Sequence, residues 1–402
     1  MARIVVIGAG MAGLTAARRL SQGDHRLTVL EARDRVGGRV LSTTLENGAV
    51  VELGGEWLST DQQAVIALAE ELGLRLSPIG LNFAERDLIG APHIPTEEHG
   101  RVSSLITRAI DALPHATRLR ITVEDLLGDV DDRSDAFTVV RRRIEGSAAV
   151  PLDTLAVDEV MGDYGLEAAS YLRVDKGNQA IAEAMAAQLA DLRLNTPVDA
   201  IKSIGGAVEV GAGDLVMTAD AVVVSVPLTL LARLRFEPPL EPALRRAIHS
   251  IAMGTAAKYA APTEYAPDLL ARQSGEEPWW CWTGLGSDGH SRRAITSFAG
   301  TQRAIDTISS DWRALLTNAA PEVALGDGSV AMDWGTEQWS LGCYSALGPG
   351  DKALLGAFDT VGPIVFAGEH TSGAGSIDGA IVSGEQAADR LATYLASSRT
   401  VP

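Results

Sequence analysis

Apolar positions along this chain switch between strand-like and helical rhythms, and the order of the switches outlines a fold. Residues 4–7 are a short β-branched run, the pattern of a strand buried on both faces. They lead into Gly8-Ala9-Gly10-Met11-Ala12-Gly13, after which Leu14, Ala17 and Leu20 recur at helical spacing until Gly23 and Asp24 stop them. A second strand is predicted over residues 27–30, ending at Glu31. Strand, glycine-rich turn, helix and strand form the βαβ unit of a dinucleotide-binding fold, with an acid 18 residues past Gly13.

Further along, residues 60–76 read as a helix with Val65, Leu68, Ala69 and Leu72 on one face and Gly73 as its stop. The stretch 81–180 is mostly helical and polar, broken around residues 90–95, and carries no evident chemistry. A helix is predicted over 181–189, then strands over 198–204 and 208–210 joined at a Gly205-Gly206 hairpin turn. Residues 221–226 form a buried strand ended by Pro227, and the tryptophan-rich 254–340 region reads as mixed sheet with helices. A last strand over 364–366 runs into Gly368-Glu369-His370, and a final helix starts at Gly379. Nucleotide-fold pieces thus stand at the start, middle and end. A chain of 402 residues also exceeds the usual size of one core. The expected architecture is α/β: a Rossmann-like domain (1–80, 181–250 and 340–402) interleaved with an α+β substrate domain (81–180 and 251–339).

Composition narrows the partners. A net charge of −18 excludes nucleic acid, whose binding relies on cationic neutralisation of phosphates. That charge serves solubility or favours the approach of cationic small molecules. Cys281 and Cys343 are too few for a disulfide framework, and neither they nor the seven scattered histidines show metal-ligand spacing, so no metal is expected. No leader pattern precedes the first strand, and no apolar run approaches the ~20 residues of a membrane span. A cytoplasmic protein with no membrane partner is expected, with its oligomeric state open, a dimer included.

In the first turn, Gly8 permits the tight bend, Gly10 lets backbone approach a pyrophosphate, and Gly13 allows close helix–strand packing. The helix start at Met11 and Ala12 offers free N–H groups to phosphate, and Glu31 can accept from ribose hydroxyls. The segment Glu31-Ala32-Arg33-Asp34-Arg35-Val36-Gly37-Gly38-Arg39 resembles the second FAD signature of the flavin amine oxidase superfamily. Three more segments carry that resemblance: Leu53-Gly54-Gly55-Glu56-Trp57, similar to the loop along the flavin; Val198, at the position whose backbone contacts adenine; and Phe366-Ala367-Gly368-Glu369-His370 with Gly375-Ser376-Ile377-Asp378-Gly379-Ala380, similar to the closing motif. The resemblance implies FAD as cofactor. It also implies that Glu369 touches the ribityl–phosphate region and that the adjoining helix start faces the pyrimidine carbonyls.

The resemblance also marks the chemistry. Lys258, in Met253-Gly254-Thr255-Ala256-Ala257-Lys258, matches a lysine that holds a water near flavin N5 and assists reoxidation by oxygen. Gln338-Trp339-Ser340-Leu341-Gly342-Cys343-Tyr344 resembles monoamine oxidases, in which the cysteine is joined to the flavin and the tyrosine forms one wall of an aromatic cage. An FAD attached through Cys343 and an FAD bound without that bond both remain open. The second wall falls on Ser376, a departure that leaves the cage half built; Trp57, Trp279, Trp280, Trp282 and Trp334 are candidates to complete it. The implied reaction is oxidation of a small amine to an imine, hydrolysed to a carbonyl, with oxygen reduced to hydrogen peroxide. Glu56-Trp57 stands where related L-amino acid oxidases carry an arginine, which favours an amine without an α-carboxylate. Carotenoid desaturases and protoporphyrinogen oxidases share the N-terminal motifs but not the lysine and Gly-Cys-Tyr contexts together. A non-catalytic FAD-binding protein is the remaining alternative.

Overall fold

A computed structural model describes residues 1–160 and 170–398. Its first sheet is fully parallel, in the order Ile364–Phe366, Ala221–Val224, Ala2–Ile7, His25–Leu30, Leu192–Arg193. The apolar runs form these strands because both faces are covered. One face packs on the helices Met11–Leu20 and Ile377–Ser398, with Leu14, Ala17, Val29, Val223 and Leu391 in that core. The other face packs Val5, Ile7, Val222 and Val224 against Leu244, Ile248 and Phe358.

Four strands of this sheet end on one edge, at Ile7, Leu30, Val224 and Phe366. Crevices at such carboxyl ends receive ligands in open α/β sheets. The expected strand over 221–226 ends at Val224, and the N–H and hydroxyl of Ser225 both donate to the carbonyl of Ile7, at 2.9 and 2.8 Å. The hairpin at Gly205-Gly206 joins Ala200–Ile204 to Ala207–Ala212, antiparallel, and a further strand, Leu215–Ala219, extends it.

The second large sheet has six strands, in the order Val330–Asp333, Ala256–Pro262, Ala294–Gly300, Trp279–Trp282, Ala271–Gln273, Asp87–Leu88. The expected helical stretch contains Thr96–Ala112 and Asp135–Ala148, with strands at Asp87–Leu88 and Tyr171–Val174; residues 161–169 lie outside those described. The helix expected over 60–76 is shorter, Gln63–Glu71. Beyond Gly73, which adopts φ +70°, residues Leu76–Pro78 leave to pair with Tyr171–Val174. Among the described residues, no helix is long and apolar enough to cross a membrane.

Candidate functional site

One continuous cavity of about 950 Å³ runs from the carboxyl edge of the parallel sheet to one face of the six-stranded sheet. At its first end the turn after Ala2–Ile7 is packed too tightly for side chains. A Cβ on Gly13 would run into the carbonyl oxygen of Gly8 and the hydroxyl of Ser225. A Cβ on Gly10 would meet nothing within 4 Å, so backbone there borders open space. Gly10 caps the Met11–Leu20 helix with no side-chain bond and no acid stands in the first turn, leaving N–H groups and a positive helix end free for an anion. Gly38, at φ +59°, passes so close that its Cβ would touch Gly10 Cα at 3.2 Å. The two glycine motifs are therefore one cradle, tied by Gly37 N–H donating to the Ala9 carbonyl at 2.9 Å.

Glu31 is buried beside that cradle, its carboxylate accepting from the backbone N–H of Ala9 at 2.7 Å and of Arg33 at 2.9 Å. Arg39 reaches across the cavity to the Cys343 carbonyl (2.7 Å) and to Glu369 (2.8 Å), which also accepts from the Ser345 hydroxyl at 2.6 Å. Burial alone would push the Glu369 carboxyl up, but Arg39, His370 and Ser345 outweigh it and hold it below the usual range. These donors, acceptors and bare backbone fit a flavin dinucleotide, and Val198 lines the same cavity.

At the other end, strand alternation decides what the cavity sees. Lys258 lies opposite Phe298, and Phe298 opposite Trp280, so these side chains share one face with Trp282. Trp279, Tyr259 and Cys281 point to the other face and its separate core. Trp279 is thereby removed from the cage candidates, while Trp57, Trp280, Trp282 and Trp334 border the cavity. Trp57, Phe83, Tyr171, Trp280 and Trp282 form one aromatic cluster with centroid spacings of 4.1 to 5.7 Å. Phe83 and Tyr171 come from the stretch that showed no chemistry in sequence, because a lone aromatic carries no signal of where it folds.

Lys258 is buried and its Nζ donates to Glu56 at 2.9 Å, with Arg292 3.6 Å from the second carboxylate oxygen. Burial works to raise the Glu56 carboxyl, but Lys258, Arg292 and Arg173 prevail and keep it below the ordinary value. Neighbouring Glu52 has its backbone carbonyl 3.4 Å from Lys258, while burial pushes its carboxyl up to about 7 against hydrogen bonds from Ser42 and Asn178. Cys343 lines the cavity with its thiol pushed up to about 12 by burial, and the Tyr344 hydroxyl donates to the Ser147 carbonyl at 2.5 Å.

Of the residues singled out in sequence, Gly8, Gly10, Met11, Ala12, Glu31, Ala32, Arg33, Gly38, Arg39, Gly54, Gly55, Glu56, Trp57 and Val198 border this cavity, as do Lys258, Cys343, Tyr344, Gly368, Glu369, Ser376, Ile377 and Ala380. Gly13 and Asp378 do not. Gly13 acts through packing, and the Asp378 carboxylate instead accepts from Val65 N–H at 2.9 Å in the first turn of the Gln63–Glu71 helix. Ser376 accepts from Gly379 N–H at 3.0 Å and so caps the final helix, which explains a small polar residue where a cage wall was expected. Arg292 escaped the sequence reading, since nothing local couples it to Glu56.

Putrescine oxidase from Kocuria rosea is 29% identical over 470 residues, spanning 96% of this chain and 94% of that protein. Among solved structures, wild-type putrescine oxidase bound to putrescine matches with a TM-score of 0.83 at 24% identity, covering 98% of this chain and 99% of that one. Cyclohexylamine oxidase from Brevibacterium oxydans matches at 0.81 and 20% identity with the same coverage. The α/β architecture of the chain is that of these enzymes. The model of the flavin containing amine oxidoreductases matches residues 11–150 and 146–392, nearly all of the chain, which therefore belongs to that family and is a flavin-dependent oxidoreductase acting on CH–NH or CH–NH2 groups.

Proposed function

We propose that the protein binds FAD in the glycine cradle and oxidises a small amine without an α-carboxylate to an imine, which water converts to a carbonyl, with oxygen as acceptor and hydrogen peroxide as product. The observation that carries this reading is the buried Lys258–Glu56 pair, set among aromatic rings in the same cavity as the dinucleotide cradle. The flavin supplies the hydride-accepting chemistry. The chain's own residues position and enclose. Segments 1–80, 181–250 and 340–402 form the cofactor domain, and 81–180 with 251–339 the substrate domain.

With FAD bound, Lys258 would hold a water near the flavin, its ammonium directed by Glu56. Tyr344, anchored through its hydroxyl to Ser147, presents its ring to the substrate amine. Arg292 is committed to Glu56 inside the protein and does not border the cavity, so it is not placed to receive an α-carboxylate. This favours amines over amino acids. A panel of primary and secondary amines, scored for peroxide release, tests the reading; bound yellow cofactor with no turnover on any of them would refute it.

Cys343 borders the cavity beside Tyr344, and its Gly-Cys-Tyr context supports a thioether to the flavin 8-methyl group. Acid precipitation should leave the yellow colour in the protein pellet, and Cys343→Ala should release it to the supernatant.

A further inference from the structure

The tryptophans at the substrate end carry an arrangement of charge that bears on what the far end of a substrate looks like. This inference rests on the amine-oxidising reading above. Both faces of the Trp280 ring are taken: Trp282 stacks on one at 4.1 Å and 22°, and the Arg86 guanidinium sits over the other, 3.5 Å from the centroid. What Trp280 can offer the cavity is its edge, the positive rim of the ring quadrupole. The Trp282 ring has Lys258 Nζ 5.3 Å from its centroid, and Phe83 has Arg86 at 4.5 Å. These rings already serve the protein's own cations.

Behind them, among the described residues, the positive charge has no carboxylate partner. Arg86 and Arg143 are both buried, and neither forms an ion pair with a carboxylate among the described residues. Arg86 donates to Gln273 at 2.7 Å and Arg143 to the Ala84 carbonyl, while Nη2 of Arg86 and both Nε and Nη2 of Arg143 have no partner. A guanidinium does not discharge by losing its proton inside a protein. Of the acids bordering the chamber among the described residues, Glu56 is committed to Lys258, Asp158 to Lys352 and Glu159 is partnered, while Asp61 stands in solvent, where water screens it.

We propose that this arginine-backed aromatic wall is a selectivity element. It accepts amines whose far end is apolar or aromatic and rejects those that carry a second ammonium there. An apolar tail meets ring carbon, whereas a second cation meets a positive ring edge and a positive field behind it.

Hexylamine and 1,6-diaminohexane differ only at that far end. Mixed anaerobically with the holoenzyme in a stopped-flow instrument, they report flavin reduction independently of the electron acceptor. Hexylamine should be favoured at least about tenfold in the second-order rate of flavin bleaching. Arg86→Met keeps the apolar stem and removes the charge, so it should narrow that ratio, while Arg86→Lys should keep most of it. Equal or faster bleaching by 1,6-diaminohexane in the unmutated enzyme would overturn the proposal, whether or not the variants fold. Flavin that no amine bleaches would instead take down the amine-oxidation reading, and the proposal with it.

Discussion

Lys258 can occupy the interior only beside Glu56, because without that carboxylate its charge would be desolvated without compensation. Breaking such a pair by removing one member typically costs about 3–5 kcal/mol. Glu56→Gln would leave Lys258 and Arg292 facing each other across a neutral amide, so a loss of that size is expected in urea denaturation. Lys258→Met is expected to be milder, since Arg292 still partners the carboxylate. It should leave FAD bound and slow flavin reoxidation in stopped-flow mixing with oxygen; unchanged reoxidation would take the lysine out of the mechanism. At this scale, the glycines, Glu31, Arg39, Lys258 and Tyr344 were legible in sequence because each sits in a local pattern. Arg292 and Arg86 were not. Their roles arise from partners far away in the chain, Arg292 from Glu56 and Arg86 from Trp280, and no local spacing encodes such a meeting.

Among elements, the helix Met11–Leu20 matters most, since in the proposed reading its N-terminus takes the cofactor's phosphates. Its direction is set by the final helix, which it touches so closely that a Cβ on Gly384 would run into the Ala12 carbonyl oxygen. Gly384→Ala should therefore lower stability by about 1–3 kcal/mol, as overpacking does. It should also weaken FAD retention, because the helix start must shift; melting curves with and without added FAD separate the two effects. The alternation in Trp279-Trp280-Cys281-Trp282 fixes which tryptophans face the cavity, and a slip of one residue would exchange them. The strands and helices of the parallel-sheet unit were readable from apolar periodicity, whereas the short strands Asp87–Leu88 and Tyr171–Val174 were not. Element ends were not readable either, because distant caps such as Asp378, which accepts from Val65 N–H, help decide where an element begins or stops.

For the whole molecule, two buried groups set opposing dependences on pH. Burial lifts the Glu52 carboxyl from 4.5 to about 7, so the folded state keeps a proton that the unfolded chain releases between those values. Stability from this group falls as pH rises through that window, by at most about 3 kcal/mol. Burial lowers the imidazole of His370 from 6.5 to about 4, so its contribution is present above 6.5 and is lost as pH falls towards 4. Glu52→Gln removes only the first. Its melting temperature should drop more steeply than that of the unmutated protein on acidification from pH 7 to 5; parallel profiles would show that Glu52 does not hold the proton.

The tie between Arg39 and Glu369 joins positions 330 residues apart, and it has a consequence for how the protein is made. Synthesis proceeds from the N-terminus, at roughly 5–20 residues per second. A nascent chain that has not reached residue 364 has its glycine cradle translated, but Val222–Val224 form an open sheet edge and Arg39 has no carboxylate to meet. Cofactor capture that draws on this tie is therefore expected only after residue 369 has been made, and until then Val222–Val224 stand as an unpaired parallel edge of the kind that invites misassociation.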